Sequence, residues 1–568
     1  MKKHPIEFFK KFNITPRQQQ IDVINAVHEN WDKYKVLALS LPTGVGKTFI
    51  ATSIADSIGS AYLLTSTLQL QDQYMKSWST LINLKGRSNY KCSLNENFTV
   101  DAAPCAANPD LYKTCVRERR CPYINQKNAA IASPAMITNP VFLLYSTHCG
   151  FAKDEESPWV ERDAVIFDEA HNLEAALVSF AESDVDPMRY FDDFGADTKH
   201  IVFNGTPAED YYRVIDIKVA LEEKAAELAE KLETEFGNTN FFGMDPKEWA
   251  KGFTSKTAEK VQKLNAKIYL LDKAIQPLNI FFNTHKTPEE LIRRWIVSKH
   301  VDKNVLKLSP IYGDFLFKEY FGKLAKKFVF LSATLGTKAE LCKELGIAEE
   351  DCLFIETDSP FDPALSPVIV MPAISLSKDK YDKNIHKLGG IVDEIMNMHK
   401  GRGVCHSVTY DLAKHIYQGV SPKNRKRLLT RDMDILNNAD LGKNSYPKRY
   451  KNAELLEIHD VQGGAYGSVL LSPSMMEGVD LYDDLSEFQI IVKLPWGQLG
   501  DIRIKTKSGL DPNWYKNAMW LNILQASGRS TRHELDTSIT YILDEKFKFH
   551  YNAWKDFLPG WFKKRLVF

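Results

Sequence analysis

The stretch Leu41-Pro-Thr-Gly-Val-Gly-Lys-Thr48 determines how the rest of the chain is interpreted. It follows an apolar run at residues 36–39, which predicts a buried strand, and it precedes a segment with Ile50, Ile54 and Ile58 on one helical face. Strand, glycine-rich loop, Lys-Thr and helix in this order are the context of a phosphate-binding loop, because backbone N–H groups and the helix N-terminus cradle the phosphates. The stretch therefore predicts a nucleotide-binding α/β domain.

This loop supplies the predicted contacts to ATP and its metal ion. Lys47 is expected to reach the β and γ phosphates, and Thr48 is expected to ligate Mg²⁺. The strict pattern has a glycine where Leu41 stands, so the loop is the PTGxGKT variant of the motif. The predicted nucleotide-binding residues of the loop are Thr43, Gly44, Val45, Gly46, Lys47 and Thr48.

A second polar motif, Asp168-Glu-Ala-His171, follows the apolar residues 164–167. Phosphoryl transfer to water needs one carboxylate on the metal ion and a second group that orients the nucleophile. Asp168 is the predicted Mg²⁺ ligand, and Glu169 is the predicted catalytic carboxylate. Four polar residues after a strand are usually a solvated loop or a helix cap, but behind a phosphate loop in the same chain they indicate ATP hydrolysis.

A third motif, Gln525-Ala-Ser-Gly-Arg529-Ser-Thr-Arg532, lies near the C-terminus on a predicted helix. The spacing of three puts Arg529 and Arg532 on one face of that helix. Two guanidinium groups on one face can stabilise the charge that develops on the γ phosphate. The alternative for an isolated GRxxR is a surface salt-bridge pair. With the two motifs above, we assign Gln525, Arg529 and Arg532 to catalysis.

The length of 568 residues exceeds what one hydrophobic core supports, so we expect two large domains with insertions. Short apolar runs, each followed by a polar turn and a helical segment, predict parallel-sheet α/β architecture. Ligands of such sheets bind at the carboxyl ends of the strands. The predicted strands are residues 36–39, 164–167, 328–331, 468–471, 490–492 and 539–543.

Composition sets limits on partners and location. Lys plus Arg and Asp plus Glu both number 73, so a nucleic-acid path has to be a local stripe rather than a global basic field. Hydrophobic residues make up 44% of the chain and charged residues 26%, which is typical of a compact, soluble protein. No run of about 18 apolar residues occurs. We expect no signal peptide, no membrane partner and a cytoplasmic location.

Four of the eight cysteines crowd into residues 92–121, which indicates metal binding in a reducing compartment. Four thiolates can hold a [4Fe-4S] cluster or a structural Zn²⁺, and the spacing does not separate the two. The predicted ligands are Cys92, Cys105, Cys115 and Cys121. The remaining four are predicted to be buried thiols: Cys149, Cys342, Cys352 and Cys405.

A helical segment interrupts the α/β pattern between residues 216 and 274, where apolar residues recur at spacings of three and four. Two amphipathic helices that pack as an antiparallel hairpin fit this pattern, and a dimerising coiled coil is the alternative. Gly237, Gly243 and Pro246 between the two halves favour an intramolecular turn. The apolar positions are Leu221, Ala225, Leu228 and Leu232, then Val261, Leu264, Ile268, Leu271 and Ile275.

The ordered set of motifs resembles the XPD and DinG family of superfamily 2 helicases. Arg17-Gln-Gln-Gln20 looks like the family's adenine-recognition signal, so Arg17 and Gln20 join the predicted nucleotide site. The stretch from Thr65 to Gln73 looks like motif Ia, which contacts the DNA backbone in the family. The cysteine group lies where the family places its cluster, and its GRxNYxC opening and CPY ending resemble DinG. This resemblance favours [4Fe-4S] over zinc.

Further matches follow in the second half of the chain. Leu331-Ser-Ala-Thr-Leu335 resembles motif III, which couples hydrolysis to DNA grip, and Ser359-Pro-Phe-Asp362 is similar to the crossing into the second domain. Glu477-Gly-Val-Asp480 resembles motif V, which adds Gly478 and Asp480 to the nucleotide contacts. The arginine motif matches motif VI. The chain departs from the family at Asn139-Pro140, where a histidine is usual, but not in the residues of the ATP chemistry.

The resemblance implies two RecA-like motor domains with parallel sheets, and two insertions in the first of them. The hairpin occupies the position of the family's helical arch, which together with the cluster domain frames a pore for the single strand. The expected division is 1–85, 131–205 and 301–355 for motor domain 1, 86–130 for the iron–sulfur insertion, 206–300 for the arch, and 356–568 for motor domain 2.

The function that the resemblance implies is ATP-dependent translocation on single-stranded DNA, 5′ to 3′, with unwinding of forked or tailed duplexes, in DNA repair, by a monomeric motor. One alternative is an RNA helicase or an RNA/DNA-hybrid translocase. Another is a metal-cluster-dependent recruitment module with a weak motor, which the intact Lys47, Glu169 and Arg529 disfavour.

Basic and aromatic residues near the cysteines can be interpreted in two ways. They suit backbone contact and base stacking along a single strand. Alternatively, the segment is a solvated loop whose tyrosines pack around the metal. The residues are Lys91, Lys113, Arg117, Arg119 and Arg120, with Tyr90, Tyr112 and Tyr123.

Overall fold

A computed structural model describes most of the chain. The described residues are 1–78, 80–103, 105, 109–148, 159–232, 234, 255–284, 288–429, 466–473, 485–528, 530–531 and 536–568. In this part of the chain, two seven-stranded sheets and one three-stranded sheet are present.

The first sheet has the strand order β10-β1-β9-β5-β2-β4-β3, and every neighbouring pair is parallel. Its strands alternate side chains between two apolar layers, so that Ala38 and Phe167 face one layer while Leu39 and Ile166 face the other. Helices cover both faces, which is why these strands are apolar throughout. The strands are β1 Val36–Ser40, β2 Ala61–Leu64, β3 Ile82–Asn83, β4 Ala135–Thr138, β5 Arg162–Asp168, β9 Ala325–Ser332 and β10 Cys352–Glu356.

The second sheet has the order β13-β14-β12-β15-β16-β11-β17 and is also parallel. It too separates two apolar layers, with Cys405 and Leu471 on one side and Val368 and Ile542 on the other. Two RecA-like α/β domains therefore form the body of the molecule. The strands are β11 Val368–Ile374, β12 Gly403–His406, β13 Leu428–Leu429, β14 Val469–Ser472, β15 Phe488–Ile491, β16 Ile539–Asp544 and β17 Leu566–Val567.

The third sheet is small and antiparallel, with the order β6-β8-β7. It comprises β6 Ser183–Val185, β7 Trp295–Lys299 and β8 Leu306–Pro310. It was not predicted from the sequence, because its strands have only three to five residues and show no sustained alternation of apolar and polar positions. It closes the base of the helical insertion, since β6 precedes the insertion and β7 and β8 follow it.

The predicted helical hairpin is present as Pro207–Leu232 and Ser255–Asn283, which pack against each other. Tyr211, near the start of the first helix, lies 5.3 Å by ring centroids from Phe282 at the end of the second, so the helices are antiparallel. Leu221, Leu228 and Leu271 of the predicted stripe are buried. Gly237, Gly243 and Pro246 of the predicted turn lie outside the described residues.

The longer helices include one after most strands of both parallel sheets, as expected for crossover connections. No helix of the described residues is long and apolar enough to cross a membrane. The helices of six or more residues are Ile6–Lys11, Gln18–Asn30, Lys47–Ile58, Leu68–Ser77, Pro109–Arg117, Pro122–Ala132, Pro140–His148, Leu173–Ala181, Pro187–Phe194, Pro207–Leu232, Ser255–Asn283, Pro288–Arg294, Lys338–Leu345, Leu388–Met398, Tyr410–Gly419, Ile502–Leu510, Pro512–Ser527 and Phe547–Trp554.

All six predicted strands occur, with ends shifted by up to three residues. Three of the strands that were not predicted, β2, β4 and β12, have only four residues each. Periodicity over four residues does not distinguish a buried strand from a turn of buried helix.

Candidate functional site

Three motif residues meet at the carboxyl edge of the first sheet, because β1, β9 and β5 are neighbours there. Lys47 follows β1, Glu169 follows β5, and Ser332 ends β9. The Lys47 Nζ lies 3.7 Å from the Glu169 Oε1. The fold thus brings together residues that are 122 to 285 positions apart in the chain.

Two glycines shape the phosphate loop. Gly44 and Gly46 have φ of 81° and 87°, which is the left-handed region that favours glycine. A Cβ on Gly46 would lie 2.4 Å from the Gln20 Nε2, and one on Gly44 would lie 1.8 Å from the Phe361 ring. Gly46 is also the N-cap of helix Lys47–Ile58, and no side chain caps that helix end. The arrangement can accept an anionic phosphate at the helix N-terminus.

Asp168 is buried and held by two hydrogen bonds. Its Oδ2 accepts from the Tyr74 hydroxyl at 2.9 Å, and its Oδ1 accepts from the Glu169 N–H at 3.0 Å. Burial raises the pKa of Asp168 to about 6, the charge of Glu169 adds to the rise, and Lys47 opposes it. A buried carboxylate beside a second one is a site that a divalent cation would neutralise.

Glu169 has an unusual backbone conformation, with φ 52° and ψ 45°. Left-handed conformations of non-glycine residues are strained and concentrate at functional sites. The turn aims the Glu169 carboxylate at Lys47, and its Oε2 lies 3.4 Å from both the His171 Nδ1 and the Ser332 Oγ. Glu169 therefore stands at the centre of the motif residues.

A chain of hydrogen bonds runs from this carboxylate to the second domain. The Ser332 Oγ lies 2.7 Å from the His171 Nδ1 and 3.3 Å from the Thr334 Oγ1. The Gln525 Nε2 then donates to the Thr334 Oγ1 at 3.4 Å. Gln525 belongs to helix Pro512–Ser527 of the second domain, so DEAH, motif III and motif VI are physically connected.

The predicted adenine residues lie against the phosphate loop. The Gln20 Oε1 accepts from the Arg17 N–H at 2.8 Å, and the Arg17 guanidinium donates to the Gly44 carbonyl. The guanidinium also lies 6.0 Å from the centre of the Phe361 ring. Arg17, Gln20 and Phe361 thus surround the loop at one end of the site.

The arginine motif differs from the prediction. Helix Pro512–Ser527 ends within it, after Gln525, Ala526 and Ser527, and Gly528 follows with its N–H bonded to the Leu524 carbonyl. The described residues 530 and 531 are not helical, so the prediction that the whole motif lies on a helix is wrong. A glycine weakens a helix, because it loses more conformational freedom on folding than other residues do. Arg529 and Arg532, like Gly478 and Asp480, lie outside the described residues.

Three of the four clustered cysteines, Cys92, Cys105 and Cys115, share a small apolar core with Leu94, Phe98 and Ala103, and Cys121 packs against the large core of the first domain. Burial raises the pKa of Cys105 to about 12, and the other three thiols add to the rise. The thiols are therefore close enough to influence one another. Among the described residues, however, no group of three or more His, Cys, Asp or Glu is arranged to hold a metal ion, so the metal site stays a prediction. Cys342, Cys352 and Cys405 are buried as predicted, and Cys149 lies outside the described residues.

The tyrosines near the cysteines divide between packing and exposure. Tyr90 and Tyr123 pack edge to face with ring centroids 5.6 Å apart, and Arg87 lies over Tyr123. Tyr123 is only 4% exposed, so its ring is unavailable for base stacking. Tyr112 is 47% exposed and stays a candidate.

Five contact residues at this site were not among the predicted site residues. Tyr74 holds Asp168, His171 and Ser332 contact Glu169, Thr334 links the domains, and Phe361 covers Gly44. All of them except Tyr74 lie within motifs quoted above. Tyr74 directly follows motif Ia, and an aromatic residue on an amphipathic helix carries no signal that separates it from the core.

Two family models match the chain. The helicase C-terminal domain matches residues 392–565, and the type III restriction enzyme res subunit matches residues 13–208. No match was found among the curated proteins. Each parallel-sheet domain thus has its own family match.

Solved structures match nearly the whole chain. One titled XPD helicase has 14% identity and a TM-score of 0.61, and the match covers 96% of this chain and 98% of that one. An apo XPD structure has 13% identity, a TM-score of 0.55 and coverage of 95% and 98%. The structure of S. tokodaii Xpd4 has 15% identity, a TM-score of 0.53 and coverage of 97% and 99%.

The two family matches and the two RecA-like domains define an ATP-dependent helicase. Over nearly its whole length, the chain has a fold similar to that of solved XPD structures. The resemblance inferred from the motifs is confirmed.

Proposed function

We propose that this chain is a DNA helicase that hydrolyses ATP to move 5′ to 3′ along a single strand and to open forked or tailed duplexes, as a monomeric motor. The observation that carries the proposal is the hydrogen-bond chain from Glu169 through Ser332 and Thr334 to Gln525. It connects the predicted hydrolytic carboxylate to the second domain. A motor needs such a connection, because chemistry in one place has to change the relation of two domains.

In the proposed mechanism, residues 43–48 bind the phosphates of ATP. Lys47 leaves its 3.7 Å contact with Glu169 and turns to the β and γ phosphates. Glu169 is then free to orient the attacking water. Thr48 and Asp168 would hold Mg²⁺, which supplies positive charge to the phosphate oxygens when bound. Tyr74 orients the Asp168 carboxylate for that task.

Closure of the two domains completes the proposed site. Arg529 and Arg532 would meet the γ phosphate, where guanidinium groups stabilise the developing charge. Gly478 and Asp480 would approach the nucleotide from the same domain. In this proposal, movement of Gln525 on closure changes the position of Glu169 through the hydroxyl groups of Thr334 and Ser332. Release of the products reopens the domains, and repeated cycles move the strand.

We also propose a [4Fe-4S] cluster on Cys92, Cys105, Cys115 and Cys121, with zinc as the alternative occupant. The donor set fits, because such clusters take four thiolates, and the four thiols lie close enough to influence one another. Cys92, Cys105 and Cys115 also share one small core. The insertion at 86–130 would then be a rigid element beside the arch at 206–300, and both would line the path of the strand. We propose the other domain boundaries as they were predicted from the sequence.

The cluster is tested by metal analysis of protein purified without oxygen. Iron and sulfide at about four per chain support the cluster, and one zinc without iron contradicts it. Cys105→Ser is expected to lose iron and unwinding while keeping part of the ATPase. A matched control is Cys405→Ser, which changes a thiol buried far away in the second sheet. An iron-free but fully active Cys105→Ser enzyme would remove the cluster from the mechanism.

The nucleic-acid partner is tested by the stimulation of ATP hydrolysis. We expect single-stranded DNA to raise the rate about tenfold or more above the basal rate, and equimolar RNA of the same sequence to raise it less. Stimulation by RNA alone would replace the DNA helicase with an RNA translocase. Stimulation by neither would favour the recruitment module with a weak motor.

A further inference from the structure

A group of buried charges connects the two motor domains away from the phosphate loop. Helix Ile502–Leu510 of the second domain carries Arg503 and Lys507. The Glu174 Oε1 of the first domain lies 2.5 Å from the Arg503 NH2 group and 3.0 Å from the Lys507 Nζ. The Lys507 Nζ also lies 3.1 Å from the Glu344 Oε1. We call these four residues the interdomain joint.

The centre of the joint is closed to solvent, because Lys507 is 0% exposed and Glu174 is 8% exposed. Arg503 and Glu344 lie at its rim, with side chains that are 14% and 22% exposed. The Lys507 ammonium lies 4.2 Å from the centre of the Trp514 ring and 5.1 Å from that of Tyr312, so aromatic faces enclose it. Two positive and two negative charges balance. Buried charges are retained only when they are paired in this way, and removal of one partner leaves the other uncompensated.

The carboxylates of the joint stand beside the catalytic segments. Glu174 is the second residue of helix Leu173–Ala181, which begins directly after the turn Ala170–Asn172 that contains His171. Glu344 lies in helix Lys338–Leu345, which follows the motif III residues Ser332 and Thr334. The second domain therefore holds the elements that follow both DEAH and motif III.

Two further contacts fix the geometry. The Arg503 Nε donates to the Pro310 carbonyl at 3.1 Å, which ties the helix to strand β8 as well. A Cβ on Gly313 would lie 3.1 Å from the Glu174 Cγ, so the backbone at Gly313 packs closely against the Glu174 side chain. Helix Ile502–Leu510 thus contacts the first domain at three separate elements, through Glu174, Glu344 and Pro310.

We propose that Arg503 and Lys507 are positioning residues, which hold Glu174 and Glu344 so that the DEAH turn and motif III keep their catalytic arrangement while the domains close. This proposal rests on the proposed function, because it assigns the joint a part in coupling nucleic-acid binding to ATP hydrolysis. The joint stays formed through the cycle and acts as the pivot of closure. None of the four residues belongs to the predicted nucleotide site.

The test compares basal and DNA-stimulated ATP hydrolysis in Lys507→Met, Glu174→Gln and the double variant. Each single change is expected to lower the DNA-stimulated kcat about tenfold, and to change the KM for ATP less than about twofold. The double variant is expected to match the single variants, because both changes disable the same joint. Arg503→Lys keeps the charge and is expected to keep most of the stimulation.

Lys343→Met is the matched control. Lys343 also crosses between the domains, with its Nζ 2.5 Å from the Asp511 Oδ2, but its side chain is 53% exposed. The lysine end of this pair is exposed, and the buried Asp511 carboxylate keeps its hydrogen bond from the Trp514 N–H at 3.0 Å when Lys343 is replaced. DNA stimulation is therefore expected to stay within about twofold of the unchanged chain. Thermal unfolding is recorded for every variant. A midpoint well above the assay temperature shows that a loss of stimulation is a loss of coupling and not a loss of folding.

Additive effects in the double variant, or full DNA stimulation in Lys507→Met, would contradict the proposed positioning role of the joint. A uniform fall of basal and stimulated rates would also overturn it, since that is the result of a purely structural role. These outcomes are distinct from failure of the proposed function, which is judged on the unchanged chain. If that chain shows DNA-stimulated hydrolysis and Lys507→Met is stimulated equally, the proposed role of the joint is contradicted and the proposed function stands.

Discussion

The two motor domains meet in two very different places. Near the phosphate loop, Gln525 reaches Thr334 through neutral groups at 3.4 Å, which is a long hydrogen bond. At the interdomain joint, the Glu174 carboxylate lies 2.5 Å from the Arg503 guanidinium and 3.0 Å from the Lys507 ammonium, and both Glu174 and Lys507 are buried. The first contact is easily broken and remade, and the second is not. The difference indicates that the domains turn about the joint and open at the nucleotide.

The largest effect is expected at the nucleotide end. Lys47→Ala removes the cation that lies beside Glu169 and is assigned to the β and γ phosphates. We expect ATP hydrolysis to fall by about 100-fold or more, because preorganised charge at the phosphates is lost. Binding of a fluorescent single strand, measured by anisotropy, is expected to persist. Retained hydrolysis would show that the site has been assigned to the wrong loop.

The next effect concerns how much the joint and the Gln525–Thr334 contact each contribute to the free energy of unfolding. Lys507→Met is expected to lower the free energy of unfolding by about 3 kcal/mol, since it leaves buried carboxylates uncompensated. Gln525→Ala removes a single long hydrogen bond and is expected to lower it by about 1 kcal/mol or less. Urea unfolding followed by circular dichroism measures both. Equal losses would remove the distinction between a fixed contact and a mobile one.

A smaller effect concerns the hydroxyl chain itself. Thr334→Val keeps the shape of the side chain but removes the hydroxyl between Ser332 and Gln525. A net hydrogen bond of about 1 kcal/mol corresponds to about a fivefold loss of DNA-stimulated hydrolysis. Thr334→Ser restores the hydroxyl and serves as the control. If valine works as well as serine, the chain does not transmit closure.

The smallest effect is expected within the first domain alone. Tyr74→Phe removes the hydroxyl that donates to Asp168 at 2.9 Å and leaves the buried ring. We expect the Mg²⁺ concentration for half-maximal hydrolysis to rise about threefold, because the carboxylate is less well oriented. Titration of Mg²⁺ at saturating ATP gives the value. An unchanged Mg²⁺ requirement would restrict Tyr74 to packing.

The two contacts also differ in how far the sequence predicts them. Lys47, Asp168 and Glu169 are predictable because phosphate chemistry requires fixed residue types beside a strand end. In each of the two motifs, these residues lie at or shortly after the end of their own strand in the sequence. Glu174 and Lys507 are 333 positions apart, and neither belongs to a local pattern that predicts their pairing. Tertiary packing alone brings them together.

Local chemistry explains the other differences from prediction. The arginine motif was expected on a helix, but Gly528 follows the last helical residue, Ser527. A glycine just after the last apolar turn is a signal for the end of a helix. The helical hairpin was predictable because its apolar stripe extends over many turns, whereas strands β6, β7 and β8 are too short to show a period.

The measurement that tests the central claim most directly is strand separation by protein purified without oxygen, with ATP and Mg²⁺. The substrates are duplexes with a single-stranded 5′ tail or a 3′ tail, and Lys47→Ala is the inactive control. The account predicts ATP-dependent separation from the 5′ tail and none from the 3′ tail. Separation from the 3′ tail only would contradict the proposed direction, and no separation from either tail would contradict the assignment as a helicase motor.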